Sequence, residues 1–211
     1  MQKKEKRDFD AAAAGWDQEP RRVKLARDVA DAIRRELPLN KEMVVLDYGC
    51  GSGLVTLGLS PLVGRITGAD SSTGMLDVLK RKLQEQAISN VDTMLIDLEQ
   101  QQPLPERYDL IVSSMTMHHV QDVEALIKRF IEQLKPGGWL ALADLEQEDG
   151  SFHSDLTGVL HHGFERGFFG TAFAGNGLSG VRTVTAASIE KPGEQGSRFY
   201  PVLLCLGRKS P

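Results

Sequence analysis

Apolar positions along the chain change their spacing in a regular alternation. Between residues 18 and 37, Val23, Ala26, Val29, Ala30 and Ile33 recur three to four apart with charges between them, which predicts a helix ended by Pro38. Short apolar runs follow at residues 43–46, 65–69, 93–96, 108–112 and 138–142, giving five candidate strands. Helical patterns separate them at residues 53–59, 75–86 and 123–134, the last with Val123, Leu126, Ile127, Phe130, Ile131 and Leu134 on one face. Strand and helix alternating at this spacing imply a parallel sheet covered on both faces. After Asp144 the rhythm breaks. Residues 145–179 carry a cluster of glycines, His153, His161, His162 and five phenylalanines, a composition that predicts a short helix inside a candidate lid. Two more strand-like runs, 181–188 and 199–207, are joined by a turn-rich stretch and can pair as an antiparallel hairpin, bringing the strands to seven.

Composition narrows the picture further. A chain of 211 residues can bury one full core, and no linker is long enough to separate a second domain. With 41% apolar and 26% charged residues it is neither a disordered nor a membrane sequence, and a net charge of −4 disfavours nucleic-acid binding driven by global charge. The first residues, Gln-Lys-Lys-Glu-Lys-Arg, lack an apolar signal region, so neither a secretion signal nor a membrane span is expected. The basic residues Lys3, Lys4, Lys6, Arg7, Arg21 and Arg22 are expected to form a solvated face. Cys50 and Cys205 form neither a close pair nor a metal spacing, which favours a reducing, cytoplasmic setting.

Chemistry concentrates where the first predicted strand ends, in Val44-Val45-Leu46-Asp47-Tyr48-Gly49-Cys50-Gly51-Ser52-Gly53. Glycines here serve a tight turn, or let a ligand approach the backbone. Leu54 stands where a dinucleotide fingerprint places its third glycine. Asp70 ends the second strand, followed by Ser71, and can either cap the next helix or accept both hydroxyls of a ribose. Asp97 ends the third strand, where a carboxylate can take the amino group of an adenine. Three acids thus end successive strands beside one glycine loop, and ligands of open α/β sheets bind at that carboxyl edge.

These segments, together with Tyr108-Asp109-Leu110-Ile111-Val112 and Leu134-Lys135-Pro136-Gly137-Gly138-Trp139-Leu140 in the same order, resemble the class I S-adenosylmethionine-dependent methyltransferases. Within that class the resemblance is closest to the small-molecule, ubiquinone and menaquinone C-methyltransferase-like group. It implies a Rossmann-like, doubly wound α/β fold of seven strands in the order 3-2-1-4-5-7-6, with strand 7 antiparallel. It implies S-adenosylmethionine as cofactor and S-adenosylhomocysteine as product. Asp47, Gly49, Cys50, Gly51 and Gly53 would lie against the methionine portion, Asp70 and Ser71 at the ribose, Met75, Asp97 and Leu98 around the adenine, with Ser113 closing the site from the fourth strand. One domain over residues 1–211 would divide into a helical cap or lid (1–40), a cofactor-binding core (41–145) and an acceptor-side segment with the closing hairpin (146–211). The rival readings are a protein that binds the cofactor or its product without transferring anything and, disfavoured by Leu54 and Asp97, an NAD(P)-dependent oxidoreductase.

Methyl transfer from a sulfonium is an in-line displacement, so positioning and exclusion of water can supply much of the catalysis. The stretch after the fourth strand, Ser113-Ser114-Met115-Thr116-Met117-His118-His119, lacks the Asn/Asp-Pro-Pro-Tyr/Phe pattern of exocyclic-amine nucleic-acid methyltransferases. Neither cysteine is placed for cytosine C5 chemistry, and serine stands where a catechol-type metal site has an acid, so no metal and no nucleic acid are expected. His119 and His118 are candidate proton acceptors, the alternative being that one packs in the turn while the other faces solvent. Trp16, His153 and His162 are candidates to line a pocket for a small-molecule acceptor, and Phe9 and the aromatics of residues 152–173 either close over it or pack in the core.

Overall fold

The computed structural model of the chain describes residues 7–96, 104–193 and 196–211. Asp8 caps a single turn, α1 (Phe9–Ala12), by accepting the Ala11 N–H at 2.9 Å, and a 3₁₀ stretch over Ala13–Gln18 leads on from it. Helix α2 (Pro20–Glu36) starts two residues later than apolar spacing alone predicts. Pro20 occupies its first position, and the Glu19 carboxylate accepts the Arg21 N–H at the cap.

The parallel core then runs β1 (Val44–Tyr48), α3 (Leu54–Leu59), β2 (Arg65–Asp70), α4 (Thr73–Glu85), β3 (Val91–Leu95), β4 (Tyr108–Ser114), α5 (Val123–Gln133) and β5 (Leu134–Leu145). Helix α6 (Phe168–Gly175) precedes the hairpin of β6 (Leu178–Gly193) and β7 (Gly196–Lys209). The sheet has the order β3-β2-β1-β4-β5-β7-β6, with β7 antiparallel to both its neighbours, in agreement with the expected topology. The hairpin strands are longer than their apolar runs. Their ladder continues to Gly193↔Gly196 because cross-strand hydrogen bonds do not require apolar side chains.

Alternation along the strands buries both faces. Val45, Ile66, Leu110 and Val112 pack under α2 and α3 against Ile33 and Leu59, while Leu46, Ile111, Leu140 and Leu142 pack under α5 against Ile127 and Phe130. Phe164, Phe169 and Phe173 belong to this second core, so most of the aromatic-rich segment packs rather than closes a cleft. Among the described residues no helix is long and apolar enough to cross a membrane. The strand order reverses between β1, which continues towards β2, and β4, which continues towards β5. That switch opens a crevice beyond the carboxyl ends of β1 and β4, where the functional residues gather.

Candidate active site

The glycine turn after β1 is held by β2. Gly49 and Cys50 both donate their N–H to the Ala69 carbonyl, at 2.8 and 3.0 Å. Gly49 has a φ of +72°, and a Cβ there would lie 2.2 Å from the Thr116 Oγ1, so only glycine allows the β1 and β4 loops to meet. Gly51, at φ +54°, differs. A Cβ on it would have only the Met75 Sδ within reach, at 4.0 Å, so its half-buried backbone borders the cavity rather than being closed by packing.

Asp70 sits beside that backbone. Its Oδ2 accepts the Gly51 N–H at 2.7 Å and its Oδ1 the Ser72 N–H at 2.9 Å, which aims the carboxylate and leaves further lone pairs on both oxygens for a diol. Burial raises its pKa against the pull of these N–H groups. Asp47 is fully buried, accepts the Thr56 hydroxyl at 2.6 Å, and is pushed up to about 6 by burial, with the nearby Asp70 charge adding to the effect. Met75 is buried and packs with Ala13 beneath Phe9 and Trp16. The Cys50 thiol packs against Leu76 and Leu79, and burial raises its pKa well above the ordinary value, so the backbone rather than the sulfur serves the turn.

The N-terminal arm covers this turn through two acids. Asp10 accepts the Ser72 hydroxyl and the Gly74 N–H, each at 2.6 Å, at the start of α4. Asp17 accepts the Ser52 hydroxyl at 2.6 Å and pairs with Lys82, whose ammonium also reaches the Ser52 carbonyl. Trp16 forms one wall, with the Arg22 guanidinium stacked 3.9 Å from its ring. Under the arm lies a cavity of about 430 Å³, in the range of small-molecule sites.

At the far end of this cavity three histidine rings come together. His118 lies 4.2 Å from His119 and 5.0 Å from His153, centroid to centroid. His118 Nδ1 donates to the Asp144 Oδ1 at 2.7 Å, both side chains being buried, and Asp144 also accepts the backbone N–H of His118 and Leu145. Burial works against the Asp144 carboxylate, but His118 and these hydrogen bonds outweigh it and hold its pKa below the ordinary range. His119 Nδ1 donates to the Gly158 carbonyl at 2.8 Å, leaving Nε2 as the bare nitrogen. Burial, with the adjacent His118 adding to it, lowers its pKa to about 4, and burial with His118 and His119 beside it lowers His153 to about 3. Both rings are therefore neutral at pH 7. Met115, at φ +56°, turns the chain from β4 towards the histidines, a strained conformation held by its N–H on the Ala143 carbonyl.

The cavity walls include Asp47, Gly49, Cys50, Gly51, Asp70, Ser71, Met75, His118, His119, Trp16 and His153. Gly53, at the start of α3, packs against Leu79 behind the turn. Asp97 and Leu98 lie outside the described residues. Two expected site residues fall elsewhere. Ser113 is fully buried and donates its hydroxyl to the Tyr48 carbonyl at 2.7 Å, tying β4 to β1, and the next residues, Ser114 and Met115, reach the cavity instead. His162 is half-exposed, away from the cavity, with its Nδ1 3.7 Å from Glu148. The basic face also needs correction, since Arg7 and Arg22 line the cavity rather than bulk water. Of the aromatic segment, Phe152 reaches the cleft. Asp144 and Lys191 were missed. Asp144 ends an apolar run as Asp47 and Asp70 do, a signal that was available, whereas nothing local marks Lys191 in its polar hairpin.

A glycine turn at the switch point, a carboxylate aimed by that turn and a covered cavity ending in polar rings form a small-molecule site at the carboxyl edge of an open α/β sheet. Residues 21–172 match the family of the methyltransferase domain, and the chain belongs to that family, with the strand order expected of its class I members. Among its relatives are an uncharacterized methyltransferase of Schizosaccharomyces pombe, 33% identical over 57% of this chain and 48% of that protein, and a malonyl-[acyl-carrier protein] O-methyltransferase of Bacillus anthracis, 31% identical over 75% and 56%. The chain spans about half the length of the curated relatives it matches. The fold is shared with magnesium protoporphyrin IX methyltransferase of Synechocystis, solved with S-adenosylmethionine bound, at a TM-score of 0.66 and 19% identity over 90% of this chain and 81% of that one.

Proposed function

We propose that this protein transfers a methyl group from S-adenosylmethionine to a small-molecule acceptor in the cleft between the N-terminal arm and the carboxyl edge of the sheet. The residues present suit the cofactor. Gly51 offers an open backbone, Asp70 a carboxylate pre-set by two N–H groups, and Met75 an apolar floor. When bound, S-adenosylmethionine supplies an electrophilic methyl on a sulfonium. The chain's part is to hold the acceptor in line with that methyl, keep water out with the arm bearing Phe9 and Trp16, and take up the acceptor's proton where it has one. The observation that carries transfer rather than mere binding is the His118–Asp144 pair, buried at the acceptor end where the glycine turn and Asp70 do not need it.

His118 is the better-placed proton acceptor of the two adjacent histidines. Asp144 fixes the tautomer that bares Nε2 and stabilises the ring once it is charged, whereas His119, with its pKa near 4, holds a proton weakly. His119 and His153 then form neutral walls. The free, buried thiols of Cys50 and Cys205 are in keeping with a cytoplasmic setting.

The test is thermal unfolding with S-adenosylmethionine, S-adenosylhomocysteine, NAD and NADP side by side. Stabilisation by the two sulfur nucleotides alone is expected, followed by methyl transfer in an acceptor screen that His118→Gln slows without weakening S-adenosylhomocysteine binding. Stabilisation by NAD or NADP alone would overturn the reading.

A further inference from the structure

Besides Arg21, which pairs with Glu19, three cations converge on the cleft: Arg7 on the arm, Arg22 in α2 and Lys191 near the tip of the hairpin. The four carboxylates that line it are already partnered. Asp47 holds Thr56, Asp70 holds two backbone N–H groups, Glu19 pairs with Arg21 at 3.0 Å, and Asp155 accepts the Thr157 N–H at the exposed mouth. Glu148 accepts the Phe152 N–H at 3.0 Å through Oε2, while its buried Oε1 has no hydrogen-bond partner, and its charge acts on Lys191 from outside the cleft lining. Arg22 and Lys191 have no carboxylate in ion-pairing range among the described residues. Arg22 rests on the Trp16 ring and carbonyl, and Lys191 on the Phe152 carbonyl with its ammonium 4.1 Å from that ring. Arg7 lies against the Phe9 and Trp16 rings.

Aromatic faces and carbonyls compensate a buried cation only in part. Burial pulls the pKa of Arg22 and of Lys191 below their ordinary values, with the neighbouring charges of Arg7 and Arg21 respectively pulling the same way, against a smaller opposing pull from Glu19 and Asp17 on Arg22 and from Glu148 and Glu19 on Lys191. The positive field extends to the histidines, since Arg7 and Lys191 both help to depress His153. S-adenosylmethionine does not neutralise this field, because its carboxylate is outweighed by its ammonium and sulfonium. An anionic acceptor would supply the direct ion pair that Lys191 lacks.

We propose that the methyl acceptor is an anion whose carboxylate or phosphate is held between Arg7 and Lys191, beside His118 and His153. This rests on the methyltransferase reading above. A charged anchor at that end would fix the acceptor's position while its reacting atom points back towards the cofactor, with Phe152 supplying an apolar flank.

The experiment is thermal unfolding of the protein saturated with S-adenosylhomocysteine, challenged at constant ionic strength with the matched pairs phenylacetate against phenylacetamide and phenyl phosphate against phenol. At about 10 mM the anionic members should raise the melting temperature by roughly 4 °C and the neutral members should not. The larger of the two anionic shifts distinguishes carboxylate from phosphate. Lys191→Gln and Arg7→Gln, each first shown to melt as the parent does without ligand, should abolish the anion shift while leaving S-adenosylhomocysteine affinity in place. Equal effects of neutral and charged members, or no shift with any of them, would overturn the proposal. So would a Lys191→Gln variant that binds S-adenosylhomocysteine less tightly but methylthioadenosine, which lacks the carboxylate, normally, because the lysine would then serve the cofactor. Failure of S-adenosylhomocysteine itself to stabilise the parent protein would instead strike the methyltransferase reading.

Discussion

The two ends of the cleft are built on opposite plans. At the end proposed for the cofactor, one turn of the chain and the strand beside it supply backbone N–H groups and a carboxylate they orient. At the acceptor end the groups come from five separated places: Arg7, the turn after β4, Asp144 at the end of β5, His153, and Lys191 in the hairpin. A ligand recognised by backbone geometry needs a short continuous path of the chain, whereas one recognised by side chains can be met by any segments the fold brings together. Their electrostatics also differ, with Asp47 and Asp70 at one end and Arg7 and Lys191 around neutral His119 and His153 at the other.

The sharpest way to break this contrast is at the glycines. Gly49→Ala places a Cβ against Thr116 and forces a positive φ on alanine, and should cost roughly 4 kcal/mol of stability by denaturant unfolding. Gly51→Ala also takes a positive φ but meets no clash, and should cost only about 1 kcal/mol of stability while losing cofactor affinity. If both variants melt alike, the turn is a packing device throughout.

Next comes pH. The Asp47 carboxyl titrates near 6 in the fold against 3.8 when free, so the folded state binds its proton more tightly, and its contribution to stability falls as pH rises from about 4 to about 6. His119 titrates near 4 against 6.5, so the folded state binds its proton less tightly, and its contribution is lost as pH falls from about 6.5 to about 4. Each shift amounts to about 3 kcal/mol and they oppose one another. Asp47→Asn should steepen the acid-side loss of melting temperature and His119→Gln should flatten or reverse it, the remainder coming from His153. Identical slopes in the parent and both variants would remove the electrostatic distinction between the two ends.

Asp70→Ala should weaken S-adenosylhomocysteine binding by about 2 kcal/mol, roughly thirtyfold by calorimetry, with the fold retained. Unchanged affinity would take the ribose assignment away from this acid. The smallest effect is expected at the arm. Asp17→Ala removes the Lys82 pair and the Ser52 hydrogen bond and should cost about 1 kcal/mol while speeding release of bound S-adenosylhomocysteine in a chase experiment. An unaltered release rate would mean that the arm does not hold the cleft shut.

Much of the cofactor end was legible because its determinants are neighbours in sequence. Gly49, Gly51 and Asp70 announce themselves by residue type at the ends of apolar runs, and strand–helix alternation leaves little choice of topology. Ser113 was misassigned for a related reason. Alternation decides which face of β4 a side chain takes, but the bend at Met115 that turns the next residues into the cleft is not a pattern of apolar positions. His162 resembled its neighbours in composition, yet a single-residue step in an irregular segment sends it outward to Glu148 while the His161 Nε2 finds the Val120 carbonyl.

What the chain determined by itself, through local periodicity and glycine chemistry, is the doubly wound sheet, the cofactor turn and the acids that end its strands. The pairing of His118 with Asp144, the conversion of an apparently solvated basic stretch into a cleft wall by Arg7 and Arg22, and the arrival of Lys191 beside Phe152 were decided only in three dimensions. Each depends on contacts between residues tens to hundreds of positions apart, and burial, which sets their charges and their chemistry, exists only once the segments have met.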